Sequence, residues 1–303
     1  MDSQPIIDAH HHFWAMAMNR HTMFNGPVHP GFFLGDYSAL RRDYLPDDYR
    51  RDWGGHNVVA SVHCEAEWDR DDQYGETEWL AGLAAETGLP TVLVGHAWLH
   101  AENAEAVLRR QAAHPLVRGI RSKPVTSPDP GTLPAGTPGT MSDPAWRRGL
   151  TLLASLGLSY DLRVPLWHLE EAIEAVRLIP DTMVILNHTG FPWDRSDDGM
   201  TLWRRAMRRI AREPNTVVKL SEFGLKDAPW DYEENRAIVL ETIEMFGPDR
   251  CMFASNFPVA GLRIGFSALY DAYKRMVADF SAEERQALFF ETARRVYRVE
   301  VAA

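Results

Sequence analysis

Eight short β-type runs alternating with helix-period stretches predict an α/β protein of the (β/α)8 TIM-barrel class, with its active site at the C-terminal mouth. Three observations carry this reading. The runs number eight, most are followed by helix signals, and none ends in the GxGxxG turn of an open dinucleotide-binding sheet. Strands that alternate with helices pair in parallel through right-handed crossovers, and eight such strands can close on themselves.

In order, the runs are PIIDA (5–9), NVVASVH (57–63), TVLVGHA (91–97), LVRGIR (116–121), LSYDLRV (158–164), TMVILNH (182–188), TVVKLS (216–221) and CMFAS (251–255). Asp143-Pro144 reads as an N-cap with proline at the first helical position, opening AWRRGLTLLASLG. Met200, Trp203, Met207 and Ile210 recur at three- and four-residue spacing, an apolar helix stripe. Ser281 with Glu284 makes a capping box ahead of Leu288. Two long connections, at about 15–56 and 122–142, follow strands and so are expected as walls or lids of the mouth. On this reading residues 1–303 are one barrel domain.

With 45% hydrophobic and 24% charged residues, the chain has ample material for a core. A formal net charge of −10 argues against nucleic acid or an anionic membrane as partner, since both need a basic surface. No apolar stretch is long enough to span a bilayer, and no basic-then-apolar leader is visible. Cys64 and Cys251 lack a metal-ligand spacing, which fits a reducing cytoplasm and excludes a cysteine zinc ribbon. The expected partner is a small-molecule substrate, and the expected assembly a cytoplasmic homodimer.

The strand ends supply the candidate chemistry. Side chains alternate along a strand, so in IIDAHHHFW His10 and His12 share a face and His11 takes the other. Two imidazoles converging there suit metal ligation or catalysis; the bland alternative is one packed and two solvated histidines. On the second strand Ser61, His63, Glu65 and Glu67 share a parity, expected to face inward, which makes Glu65 a candidate. Arg121 and Lys123 end the fourth strand, with a surface anchor and a solvated lysine as the plain alternatives. Asp161 and Arg163 on the fifth either pair with each other or take part in the chemistry. His188 precedes a glycine turn after the sixth strand. The seventh runs into Glu222, a candidate or a helix cap, and the eighth into Asn256 and Phe257. Trp14, Phe257 and other aromatics fall just past strand ends, where those lining a pocket favour a ring-shaped ligand.

The ordered set IDAHxHFW, VRGIR, LNHTGFP, VKLS and MFxSNFPV, from Ile6 to about Tyr297, resembles the amidohydrolase superfamily. More narrowly it is similar to the amidohydrolase-related branch of sugar-lactone and pyrone-dicarboxylate lactonases. The resemblance implies a barrel whose mouth brings His10, His12 and His188 to the reaction centre, with Arg121 on a substrate carboxylate or carbonyl. Some members hold a divalent metal there, and some lactonases work without one. Asn256 departs from the pattern, because the broader superfamily carries a metal-ligating, base-forming aspartate at this position. An asparagine cannot accept a proton near neutral pH. Another carboxylate must then serve, and Glu65, Asp161 and Glu222 are the candidates; small residues are more usual in the family where Glu222 stands.

The leading expectation is hydrolysis of a lactone or related cyclic ester. His10, His12 and His188 either hold a divalent metal such as zinc or polarise the carbonyl directly, while Arg121, Lys123, Trp14 and Phe257 contact substrate. The alternatives are a lyase that decarboxylates a small aromatic acid on the same barrel, and a non-catalytic binding relative.

Overall fold

The computed structural model describes residues 4–29 and 31–301. Its eight strands are β1 (Pro5–His11), β2 (Asn57–Cys64), β3 (Val92–Gly95), β4 (Val117–Ile120), β5 (Ser159–Leu162), β6 (Val184–Leu186), β7 (Thr216–Leu220) and β8 (Cys251–Phe253). They pair in parallel in sequence order, as the alternating runs predicted. One helix follows each strand in turn: α1 (Pro46–Asp52), α2 (Gly75–Thr87), α3 (Ala104–Ala113), α4 (Pro144–Ser155), α5 (Leu169–Arg177), α6 (Asp197–Ile210), α7 (Tyr232–Phe246) and α8 (Phe266–Met276). The short helices α9 (Ala282–Gln286) and α10 (Thr292–Val296), joined by a π-helical turn, end the described chain.

The expected helix signals act as read. Asp143 caps α4, its Oδ1 accepting the Ala145 N–H at 2.8 Å. Trp203, Met207 and Ile210 bury the inner stripe of α6, each burial stabilising by roughly 1.5–3 kcal/mol. Ser281 and Glu284 form the capping box of α9.

Closure between β8 and β1 is made at the mouth. Asn256 donates its backbone N–H to the His10 carbonyl at 2.8 Å, and His12 donates to the Phe257 carbonyl at 2.8 Å. Below these, Asp8 accepts from the Ser255 N–H at 2.7 Å, and from the Ser255 and Tyr49 hydroxyls at 2.5 Å each. The Phe257 ring packs on Phe266, with centroids 5.2 Å apart, so this residue closes the barrel.

Register keeps one expected parity and corrects another. β1 slips against β2 between Asp8 and His11, so one residue is extra on β1. Ile7 and Ala9 alternate into the inner cluster, and past the extra residue His10 also reaches inner groups, which leaves His10 and His12 together and His11 apart. On β2 the inner cluster takes Ala60, Val62 and Cys64, the apolar parity. Ser61 and His63 face the other way, bonded to His11 Nε2 and to the Phe13 N–H. The polar parity pointed outward because small apolar side chains fill a narrow barrel. Ala293 and Val296 of α10, with Tyr297 and Val299 just after it, pack on this inner cluster and so plug the barrel.

Candidate active site at the barrel mouth

Six non-glycine residues at strand ends hold left-handed backbone angles. They are Glu67 (φ 59°) after β2, His188 (56°), Thr189 (55°) and Phe191 (53°) after β6, Glu222 (54°) after β7, and Asn256 (53°) after β8. Such a conformation costs an L-residue about 1–2 kcal/mol, and strain concentrated at one end of a barrel marks a built site. It also explains Glu222 locally: the backbone there favours glycine, yet this chain keeps a carboxylate.

His10, His12, His188 and Asn256 meet at that end. The Nε2 atoms of His10 and His12 are 3.3 Å apart, and the His188 ring centroid is 4.5 Å from that of His10. His12 Nδ1 donates to the Cys64 carbonyl at 2.8 Å, leaving the Nε2 lone pair toward the mouth. His188 Nδ1 bonds Ser221 Oγ at 3.0 Å. Burial, reinforced by neighbouring cations, holds all three imidazoles well below the usual histidine range, so they are neutral. His11 stands apart, stacked on Tyr49 at 4.4 Å.

The carboxylates have different fates. Glu65 accepts from Arg121 Nε at 2.8 Å and Arg70 Nη2 at 2.8 Å, with Lys123 Nζ at 3.3 Å. Burial would raise its pKa, but these cations hold it well below the usual range. Arg121 and Lys123 are thereby engaged by protein groups, Lys123 pairing also with Glu67. Asp161 lies deeper. It accepts from Lys219 Nζ at 2.6 Å, Asn187 Nδ2 at 2.9 Å and the Tyr297 hydroxyl at 3.0 Å. Arg163 is therefore not its partner. Glu222 Oε2 instead accepts a close hydrogen bond from Asn256 Nδ2, and burial pushes this carboxyl up to about 7.

A cavity of about 80 Å³ opens among His12, His188, Asn256, Arg121, Arg163 and Trp14. It leads to an outer vestibule of about 570 Å³ that shares Arg163 and Lys123 and adds Trp193. His10, Glu65, Asp161, Glu222 and Phe257 stand behind the lining. The 15–56 connection walls the cavity through Met23, Phe32 and Phe33. Of residues 122–142 only Lys123 reaches it; the segment leans on the start of α5, where Ser127 donates its N–H to His168 Nε2 at 2.9 Å. Sequence reasoning missed Lys219 and left open whether Arg163 pairs with Asp161 or takes part in the chemistry. The available signal was a lysine inside the apolar run TVVKL, which needs a buried counter-ion.

Residues 7–299 match the Amidohydrolase family. The chain belongs to that family. The protein y4mH of Sinorhizobium fredii, itself uncharacterized, is 38% identical over 299 residues, spanning 99% of this chain and 100% of its own. L-fucono-1,5-lactonase of Burkholderia multivorans is 28% identical over 304 residues, covering 96% of this chain and 95% of the lactonase. A solved Burkholderia multivorans amidohydrolase with bound zinc is similar at a TM-score of 0.81 and 26% identity, over 97% of this chain and 99% of that one.

That zinc raises the question of fit in this amidohydrolase. Among the described residues, His10, Cys64 and Asp161 bring ligand atoms within 4.8 Å of one another. Lys219 Nζ already sits among them, 3.2 Å from His10 Nδ1, 3.3 Å from Cys64 Sγ and 2.6 Å from Asp161 Oδ1. An ammonium with three N–H groups meets three acceptors there, so that space belongs to the lysine. The mouth side fits an ion better. The Nε2 atoms of His10 and His12 lie 3.3 Å apart, a spacing two ligands of one ion can share, but with Lys219 on Nδ1 the neutral His10 ring carries its proton on Nε2, and an ion must displace it. Nδ1 anchors such as those of His12 and His188 are what ligating histidines use. The set holds no anion, and Arg121 Nη1 lies 3.3 Å from His10 Nε2, so it favours only weak binding.

Proposed function

We propose that the protein hydrolyses a lactone, opening a small cyclic ester to its hydroxy acid at the barrel mouth. The observation that carries this reading is the contact between Asn256 Nδ2 and Glu222. It sets an ionisable carboxyl beside the strand-eight position where the superfamily has aspartate. Glu65 is held by cations and Asp161 by Lys219, whereas Glu222 combines a pKa of about 7 with a place against the cavity wall.

Water adds to the ring carbonyl carbon and gives its proton to Glu222. Collapse breaks the bond from the carbonyl carbon to the ring oxygen, and Glu222 returns the proton to that oxygen. One water is consumed and one hydroxy acid formed. A divalent ion held by His10, His12 and His188 would supply Lewis-acid polarisation of the same carbonyl. The reading includes a homodimer, which sedimentation checks, and a cytoplasmic setting, which the buried free thiols Cys64 and Cys251 suit.

Glu222→Gln tests the assignment. Wild-type turnover should rise through about pH 7 as burial-raised Glu222 ionises, against the weaker pull of Asn256, Arg263 and Arg163. The variant should lose about 100-fold or more in kcat, together with that limb of the profile. Unchanged turnover would remove Glu222 from the mechanism. Release of CO2 from an aromatic acid, with no ring opening, would favour the lyase reading.

A further inference from the structure

The turn that carries His188 is left-handed at successive residues: His188 (φ 56°), Thr189 (55°), Gly190 (68°) and Phe191 (53°). L-residues visit this region singly, and a run of them persists only where the surroundings hold it. The turn closes on itself through the Gly190 N–H on the Asn187 carbonyl at 3.2 Å and the Phe191 N–H on the His188 carbonyl at 2.9 Å. The Thr189 carbonyl has its partner on α6. Trp203 donates its indole N–H to that oxygen at 2.8 Å, and both residues are fully buried. The Thr189 hydroxyl, by contrast, reaches the Lys219 and Ser221 carbonyls only at 3.4 Å each. One turn further along α6, Met207 closes on the same segment, its Sδ 2.9 Å from where a side chain on Gly190 would begin.

His188 lines the mouth cavity, and its ring is tied at Nδ1 to Ser221 Oγ at 3.0 Å. That tie holds only while the backbone beneath it keeps its angles. A buried Thr189 carbonyl without a donor is costly, and the strained turn would relax toward negative φ and carry the imidazole with it. We propose that Trp203 is a positioning residue, its indole N–H holding the left-handed turn that aims His188 into the cavity. The apolar stripe of α6 thus does more than fill the core: Trp203 and Met207 brace the end of β6. Calling that placement catalytic rests on the hydrolase reading, whereas the placement itself does not.

Trp203→Phe removes the donor and keeps an aromatic ring in the core. Histidine labelled with 13C at Cε1 gives a ring signal for each of the 12 histidines, and His188→Gln identifies the one that reports on the turn. In Trp203→Phe that signal should shift or broaden, while those of His11, against Tyr49, and His56, against Ser267, stay in place. Adding Thr189→Gly should return it toward the wild-type position, because glycine holds a positive φ without strain. The double variant also carries the test where Trp203→Phe alone does not fold. A His188 signal unmoved by Trp203→Phe, or one that remains displaced with Thr189→Gly, would overturn the proposal. With a lactone that the wild type opens, Trp203→Phe should lose about 10-fold or more in kcat with a smaller change in KM, and Thr189→Gly should recover part of it. The predicted signal pattern in a protein that opens no lactone would leave the brace standing and remove the hydrolase reading. Lactone opening that falls in Trp203→Phe while the His188 signal stays put would do the reverse.

Discussion

His11 and His12 are adjacent in sequence and face opposite layers of the barrel. His12 lines the cavity with Nδ1 fixed on the Cys64 carbonyl, whereas His11 stacks on Tyr49 and bonds Ser61 at 3.0 Å. His12→Ala should abolish turnover with little change in stability, since it removes a group aimed at the cavity. His11 is fully buried, so His11→Ala should lower stability by about 2–3 kcal/mol while the folded fraction keeps its kcat. Denaturant titration with activity corrected for folded fraction separates the two; equal losses of kcat would contradict the assignment. Glu222 adds a pH dependence of stability. Its folded pKa lies above the unfolded value, so the folded state binds more protons between about 4.5 and about 7. The corresponding stability is present below that window and is lost as pH rises through it. These single-residue roles were half legible. Strand parity paired His10 with His12 and the glycine turn marked His188, but placing Glu65 needed Arg121 and placing Asp161 needed Lys219, partners 56 and 58 residues away.

Elements carry the deeper support of the mouth. β7 brings Lys219 beneath His10, β5 brings Asp161, and the plug helix α10 is followed by Tyr297, whose hydroxyl reaches both Asp161 oxygens at 3.0 and 3.1 Å. The lysine and aspartate are both fully buried, so removing one partner strands the other. Lys219→Met should cost about 3–5 kcal/mol in chemical denaturation; a loss below about 1 kcal/mol would mean the pair is not a structural tie. Most strands could be read because eight apolar runs recur with helix signals between them. The bulge in β1 and the inward parity of β2 could not, because an extra residue shifts phase without changing composition. The second long connection misled for a similar reason: Pro and Gly report irregular backbone, and only the contact of Ser127 with His168 shows which way it leans.

For the whole molecule, the barrel fixes where chemistry occurs and leaves open which ligand the mouth loops admit. Among the described residues no helix is long and apolar enough to cross a membrane. A neutral three-histidine set beside Arg121 predicts zinc that a chelator strips readily, as elemental analysis before and after dialysis against EDTA would show. One ion per chain that survives the chelator would contradict a weak site. The central claim, hydrolysis of a lactone at this mouth, is tested most directly by titrating acid release at constant pH from neutral and carboxylate-bearing lactones. The predicted result is one acid equivalent per ring opened by the wild type, with His12→Ala silent. No acid release from any lactone, or equal rates from wild type and His12→Ala, would contradict it.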